Sequence, residues 1–144
     1  MIPFTDREIQ RAWRENLSAS GSISRRNVQR LLLFYAVECG LKAVLMKRQS
    51  CDRTDRCSGI SEAKHNINRL LDLLFSGNSL KLPAEIMMKD IKDRNCSESR
   101  KLAPGEINQM WRYGGESLQP SDEELEKKLS AISEWIKQEL GGIS

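Results

Sequence analysis

The stretch Ser24–Gln49, SRRNVQRLLLFYAVECGLKAVLMKRQ, decides the fold. Val28, Leu31, Leu32, Tyr35, Ala36, Cys39, Ala43 and Met46 fall three or four residues apart, the spacing of one helix face. Leu33, Phe34, Val37, Leu41, Val44 and Leu45 widen that stripe well past half of the cylinder. A surface helix needs only one apolar face, so the sequence predicts a central helix covered by other helices or by a second subunit. Glu38 and Lys42, with Arg25, Arg26, Arg30, Lys47 and Arg48 at the ends, keep the apolar run below the roughly 18 residues of a membrane span. The expected element is therefore a core helix and not a membrane one.

With 144 residues, 39% of them hydrophobic, the chain can bury one core, and a single helical domain over 1–144 is expected. A net charge of +3 permits attraction to nucleic acid without demanding it. Met-Ile-Pro-Phe-Thr-Asp at the start lacks a basic segment followed by an apolar run, so no secretion signal is expected and the cytoplasm is the expected compartment. Cys39 is read as a small apolar residue of the core helix. Cys51 and Cys57 lie in the polar loop CDRTDRC and Cys96 in another, NCSESR. One Cys pair with a single distant His does not match the paired ligand spacing of a zinc site, and a reducing compartment argues against a Cys51 to Cys57 disulfide. No metal, no cofactor and no catalytic residue is called for.

Outward from the central helix, the capping box Thr5-Asp-Arg-Glu8 opens a first helix with Ile9, Ala12, Trp13 and Asn16 or Leu17 inward. Ser24 is the expected N-cap of the central helix. Ser50 to Lys64 is aperiodic and polar, a solvated loop or a functional one. A helix beginning at His65 carries Ile67, Leu70, Leu71 and Leu74 on one stripe, and Ser76-Gly77-Asn78 stops it. Pro83 is read as the first turn of another helix with Ile86, Met87, Asp90 and Ile91 inward, dissolving into the polar run Asp93 to Arg100. A helical turn from Pro104 to Met110 leads to Trp111-Arg-Tyr-Gly-Gly115. There the aromatics either plug the end of a bundle or stack on a base while the glycines admit a phosphate. Ser121-Asp-Glu-Glu124 opens the last helix, with Leu125, Leu129, Ile132, Trp135 or Ile136, and Leu140 inward and Gly141-Gly142 closing it. No strand is expected. The fold class is all-α, an antiparallel up-and-down bundle of about five helices.

Three segments in order resemble the HEPN superfamily, the higher eukaryotes and prokaryotes nucleotide-binding domain. Phe34 to Leu45 looks like its long helix of aromatic, Ala, Glu, Leu-Lys and small apolar residues. His65-Asn66-Ile67-Asn68-Arg69-Leu70-Leu71 looks like its His-initiated helix, with Asn66 where the family more often has Asp. Arg112-Tyr113 matches a late Arg-Tyr element. The resemblance spans roughly 27–140. It implies a helical bundle that often pairs through its central helices, and many members are ribonucleases of toxin, antiphage or CRISPR systems using an Arg, a spacer of a few residues and a His. This chain departs from that signature: its one histidine has Arg56 as the nearest upstream arginine, too far away. Family-type RNA cleavage is therefore not expected.

Two functions follow from different classes. One is a non-catalytic HEPN-like module that forms a homodimer or a hetero-complex with a protein partner in a bacterial antiphage or toxin-control system, with no membrane role. The other is a HEPN-type ribonuclease, or an RNA or nucleotide binder, in which His65, Arg69 and Arg112, with Tyr113, approach Glu38 and Lys42 to hold a phosphate. His65 as a capping or packing residue, and Glu38 and Lys42 as an ion pair one turn apart, explain the same residues without a ligand. The basic groups Arg25, Arg26, Arg30, Lys47 and Arg48, and Lys89, Lys92, Arg94, Arg100 and Lys101, are either solubilising or a nucleic-acid surface.

Overall fold

The computed structural model describes residues 2–141, and among them the architecture is mixed α/β. Its helices are α1 (Asp6–Ala19), α2 (Asn27–Gln49), α3 (Ile60–Ala63), α4 (Ile67–Leu73), α5 (Ile107–Arg112) and α6 (Asp122–Gly141). A three-stranded antiparallel sheet joins β1 (Ile86–Asp93), β2 (Cys96–Leu102) and β3 (Ser117–Gln119) in the order β2-β1-β3.

The central helix is α2, 23 residues long, or roughly 35 Å at 1.5 Å per residue. Leu33, Phe34, Val37, Leu41, Val44, Leu45 and Met46 are buried on it, because α1, α4, α5 and α6 all pack against it. Most of its apolar surface is met inside the chain, while Val28 stays exposed. Gly40 marks the closest approach: a Cβ there would stand 2.8 Å from both Trp13 of α1 and Ile136 of α6. The basic ends of α2 are engaged in the same packing. Arg30 reaches Glu126 at 3.0 Å and Asp122 at 3.6 Å, Arg25 reaches Glu126 at 3.4 Å, and Arg48 pairs with Glu139 at 2.6 Å while its guanidinium lies 5.7 Å from the Trp135 ring. These cations staple α2 to α6 and do not form a free phosphate surface.

The all-α expectation is wrong at residues 83–102 and again at β3. Pro83 opens no helix; Ile86 and Met88 are buried two residues apart while Met87 is less so, the alternation of a strand. β1 and β2 pair from Ile86 opposite Leu102 to Asp93 opposite Cys96, leaving Arg94 and Asn95 as a two-residue hairpin loop with Arg94 at a φ of 56°. Lys89 and Asp90 together face the single residue Ser99 as a bulge, and the Arg100 guanidinium donates to the Lys89 carbonyl at 2.8 and 3.1 Å. Met, Lys and Asp are weak strand formers, so pairing across the hairpin, and not local preference, selects this conformation.

Three smaller corrections concern helix starts and the loop. Ser24 has a φ of 52° and cannot serve as an extended N-cap; α2 begins at Asn27, where the Gln29 side chain accepts the Arg26 amide at 2.6 Å. The helix expected at His65 begins at Ile67, capped by Asn66, whose side chain accepts the Arg69 amide at 3.1 Å. The 50–64 segment is not simply a solvated loop: it holds a 3-10 turn (Thr54–Arg56) and α3, and it buries Thr54, Cys57, Ile60 and Ala63. Thr54 and Phe4 exchange bonds, the Thr54 amide donating to the Phe4 carbonyl at 2.8 Å and the Phe4 amide donating to the Thr54 hydroxyl oxygen at 2.9 Å, which ties the first residues down. The Thr5-Glu8 capping box forms as read. Gly142, expected to help close the last helix, lies outside the described residues.

Candidate functional site

The sequence separates Glu38, His65 and Arg112 by tens of residues, and the fold gathers them on one side of α2. Tyr35, Glu38 and Lys42 stand at i, i+3 and i+7, a single stripe of that helix. Glu38 is only 7% exposed. A carboxylate so placed must be paired or pay a large desolvation penalty, and it is paired twice: Oε1 lies 2.8 Å from His65 Nδ1 and Oε2 lies 2.9 Å from Lys42 Nζ.

His65 reaches Glu38 because it precedes the cap of α4 instead of serving as one. Asn66 takes the capping role, and Lys64 at a φ of 51° turns the chain just before the histidine. With Glu38 accepting at Nδ1, the proton of the neutral ring sits on that nitrogen and Nε2 carries the lone pair; in the imidazolium Nε2 becomes a second donor. The ring is half exposed, at 49% of its side-chain surface. A buried carboxylate thus fixes the orientation of an imidazole whose second nitrogen has no hydrogen-bond partner among the described residues.

Arg112 joins through Tyr35. Its guanidinium donates to the Tyr35 hydroxyl, and the Tyr35 and His65 rings lie 6.3 Å apart, tilted by 54°. Hydrogen bonds to the Tyr35 and Tyr113 hydroxyls hold Arg112 above the usual arginine range, so it stays a cation at any working pH. The polar line therefore runs Arg112, Tyr35, His65, Glu38, Lys42.

Of the six residues expected at a polar site, Glu38, Lys42 and His65 are in direct contact and Arg112 is connected through Tyr35, which was read only as core. Arg69 lines an open cleft of about 520 Å³ with His65, Lys64, Glu62 and Glu106. Tyr113 is 79% exposed and borders a different cleft with Arg100 and Lys101; Glu106 belongs to both. The aromatic pair of the Trp111-Arg-Tyr segment divides accordingly. Trp111 is buried and donates its indole N–H to Asp122 at 2.9 Å, a plug, while Tyr113 stays in solvent.

All four cysteines are free thiols. Burial, then the neighbouring Glu38 charge, pushes Cys39 up to about 11. Burial, then a hydrogen bond that its thiol donates to Cys51, pushes Cys57 up to about 12. Among the described residues no group of three or more His, Cys, Asp and Glu side chains is arranged to hold a metal ion, and no helix is long and apolar enough to cross a membrane. Comparison of the chain with protein-family models, with curated proteins and with solved structures returns no match.

Proposed function

We propose that the Arg112, Tyr35, His65 and Glu38 line is a binding site for the phosphate of single-stranded RNA or a nucleotide. The observation that carries the reading is the buried Glu38 carboxylate 2.8 Å from His65 Nδ1. It orients the ring, favours a hydrogen on Nδ1 and leaves Nε2 to meet a ligand at the mouth of the cleft. An imidazolium so held donates to a phosphate oxygen, and a permanently charged guanidinium one ring away adds a second charge-assisted donor. Arg69 and Lys64 line the cleft together with Glu62 and Glu106, which balance their charge, so the cation the reading relies on is Arg112. The three segments that carry the HEPN resemblance are the ones that contribute Glu38, His65 and Arg112.

Binding, not cleavage, is the proposed role. In-line hydrolysis of RNA uses a proton donor and a proton acceptor, and the chain has one histidine, with Lys42 held against Glu38. A partner-binding role drew its support from the breadth of the α2 apolar surface and from the missing Arg and His pair; the fold covers most of that surface from within and leaves Val28 exposed. Fluorescence anisotropy with a labelled single-stranded RNA tests the reading. Wild type should bind, with affinity falling as salt is added. His65→Ala and Arg112→Ala should each weaken binding roughly tenfold or more, the worth of a charge-assisted hydrogen bond. Unchanged binding in both variants would remove the site from the function.

A further inference from the structure

Cys51 and Cys57 flank a loop that the fold closes on itself. Cys51 follows the last turn of α2, its amide donating to the Met46 carbonyl at 3.0 Å, and Cys57 follows the 3-10 turn, its amide donating to the Thr54 carbonyl at 3.3 Å. Just outside the pair, the Gln49 side chain ties the two ends of the loop together: Oε1 accepts the Ser58 amide at 2.9 Å and Nε2 donates to the Ser58 carbonyl at 3.0 Å. Just inside it, the loop is anchored to the start of the chain, the Asp6 amide donating to the Asp52 carbonyl at 3.0 Å and the Thr54 amide to the Phe4 carbonyl at 2.8 Å. Both cysteine side chains pack on the same apolar core, and the Cys57 thiol donates to the Cys51 sulfur. Two free thiols are thus held in contact by a clamped backbone, while Cys96 lies exposed at the start of β2.

Two thiols in contact are one two-electron oxidation away from a disulfide, and even a reducing compartment accommodates a transient, redox-sensing bond. We propose that Cys51 and Cys57 are a reversible dithiol site, oxidised by small-molecule disulfides of the glutathione class. Cys51 is half-buried and Cys57 only 6% exposed, so the oxidant meets Cys51 first. The Cys51 thiolate attacks one sulfur of the glutathione disulfide; a new S–S bond forms, the old one breaks, and one glutathione leaves and takes up a proton. Cys57 then gives its proton to solvent, its sulfur attacks Cys51 Sγ, and the second glutathione leaves in the same way. The two protein thiols have lost two hydrogens, and one glutathione disulfide has become two thiols.

Equilibrating the full chain in graded mixtures of reduced and oxidised glutathione, with and without urea, followed by alkylation and a mass-spectrometric peptide map, tests the proposal. In the folded protein the Cys51 and Cys57 peptides are recovered joined, two hydrogens lighter than the free pair, and dithiothreitol separates them; Cys96 carries glutathione instead. Half-oxidation of the pair takes at least about tenfold less oxidised glutathione in the folded protein than in urea, because the clamped loop raises the effective concentration of one thiol at the other. Cys57→Ala retains glutathione on Cys51, since no second thiol expels it, and Cys51→Ala leaves Cys57 unmodified. A folded wild type whose Cys51 and Cys57 both still alkylate when Cys96 is fully glutathionylated overturns the proposal, as does a pair that oxidises no more readily folded than in urea.

Discussion

Replacing Gly40 by alanine should destabilise the protein, although alanine is the better helix former. Gly40 sits where α2 meets α1 and α6, and an added Cβ would lie 2.8 Å from Trp13 Cε3, 2.8 Å from Ile136 Cγ2 and 2.9 Å from Ile136 Cδ1. Carbon atoms in contact prefer about 3.5 to 4.0 Å, so both neighbours must shift. Trp13 and Ile136 are buried and cannot swing into water. Overpacking a core by one methyl group costs about 1 to 3 kcal/mol, against about 1 kcal/mol gained in helix propensity. Because two buried side chains are struck at once, the cost falls at the upper end, and the net loss is about 1 to 2 kcal/mol. For a chain of this size that lowers the midpoint of thermal unfolding by about 2 to 8 °C, read by far-ultraviolet circular dichroism. Ile136→Val removes one of the clashing atoms, so Gly40→Ala should cost at least about 0.5 kcal/mol less in that background. A Gly40→Ala protein that melts at or above the wild-type temperature, or a strictly additive double mutant, would refute the packing account.

Other perturbations probe the polar groups. Glu38→Gln leaves the Lys42 ammonium, whose side chain is 15% exposed, without its carboxylate; a loss of about 1 to 3 kcal/mol in urea unfolding is expected, reduced from the fully buried case by residual access to water. The double variant Glu38→Gln, Lys42→Met should recover part of it, and no recovery would show that the ion pair is not the cause. Asp122→Ala strips the acceptor from the Trp111 indole at 2.9 Å and the Ser117 amide at 3.1 Å, at a cost of about 2 to 4 kcal/mol by denaturant unfolding; a change near zero would mean those donors find other partners. An alkylating reagent at mildly alkaline pH should label exposed Cys96 first and Cys57 last, since the buried Cys57 thiol is pushed up to about 12 and little of it is thiolate. Early labelling of Cys57 in a peptide map would contradict that burial.

The helical frame was legible where local signals agree with packing. Thr5 and Glu8 announce α1, the dense apolar spacing from Leu31 to Met46 announces α2, and Leu125, Leu129 and Ile132 mark the inner face of α6. The sheet was not legible because its evidence is non-local. Ile86, Met87 and Ile91 after a proline fit a helix as well as a strand, and the hairpin turns on Arg94-Asn95 without the glycine that usually signals such a turn. What decides it is the pairing of Ile86 with Leu102, sixteen positions along, and of Met88 with Ser117. At the site, Glu38 and Lys42 were visible as a one-turn pair and His65 as the lone histidine beside a helix start. Tyr35 was hidden because an aromatic at core spacing reads as core; its position three residues before Glu38 on the same stripe was the available signal. The role of the basic residues of α2 stayed open in the sequence for a related reason: their acidic partners Glu126, Asp122 and Glu139 lie on α6, far along the chain.

His65 is the only histidine, so its imidazole gives a single set of resonances and reports on the site without assignment of the rest of the protein. Titrating the wild-type protein with a short single-stranded RNA while following that imidazole by nuclear magnetic resonance tests the central claim directly. The account predicts that the His65 signals shift in a saturable way and that Arg112→Ala weakens the saturation. An imidazole signal that stays in place at saturating RNA, with the protein folded, would contradict a phosphate site at His65.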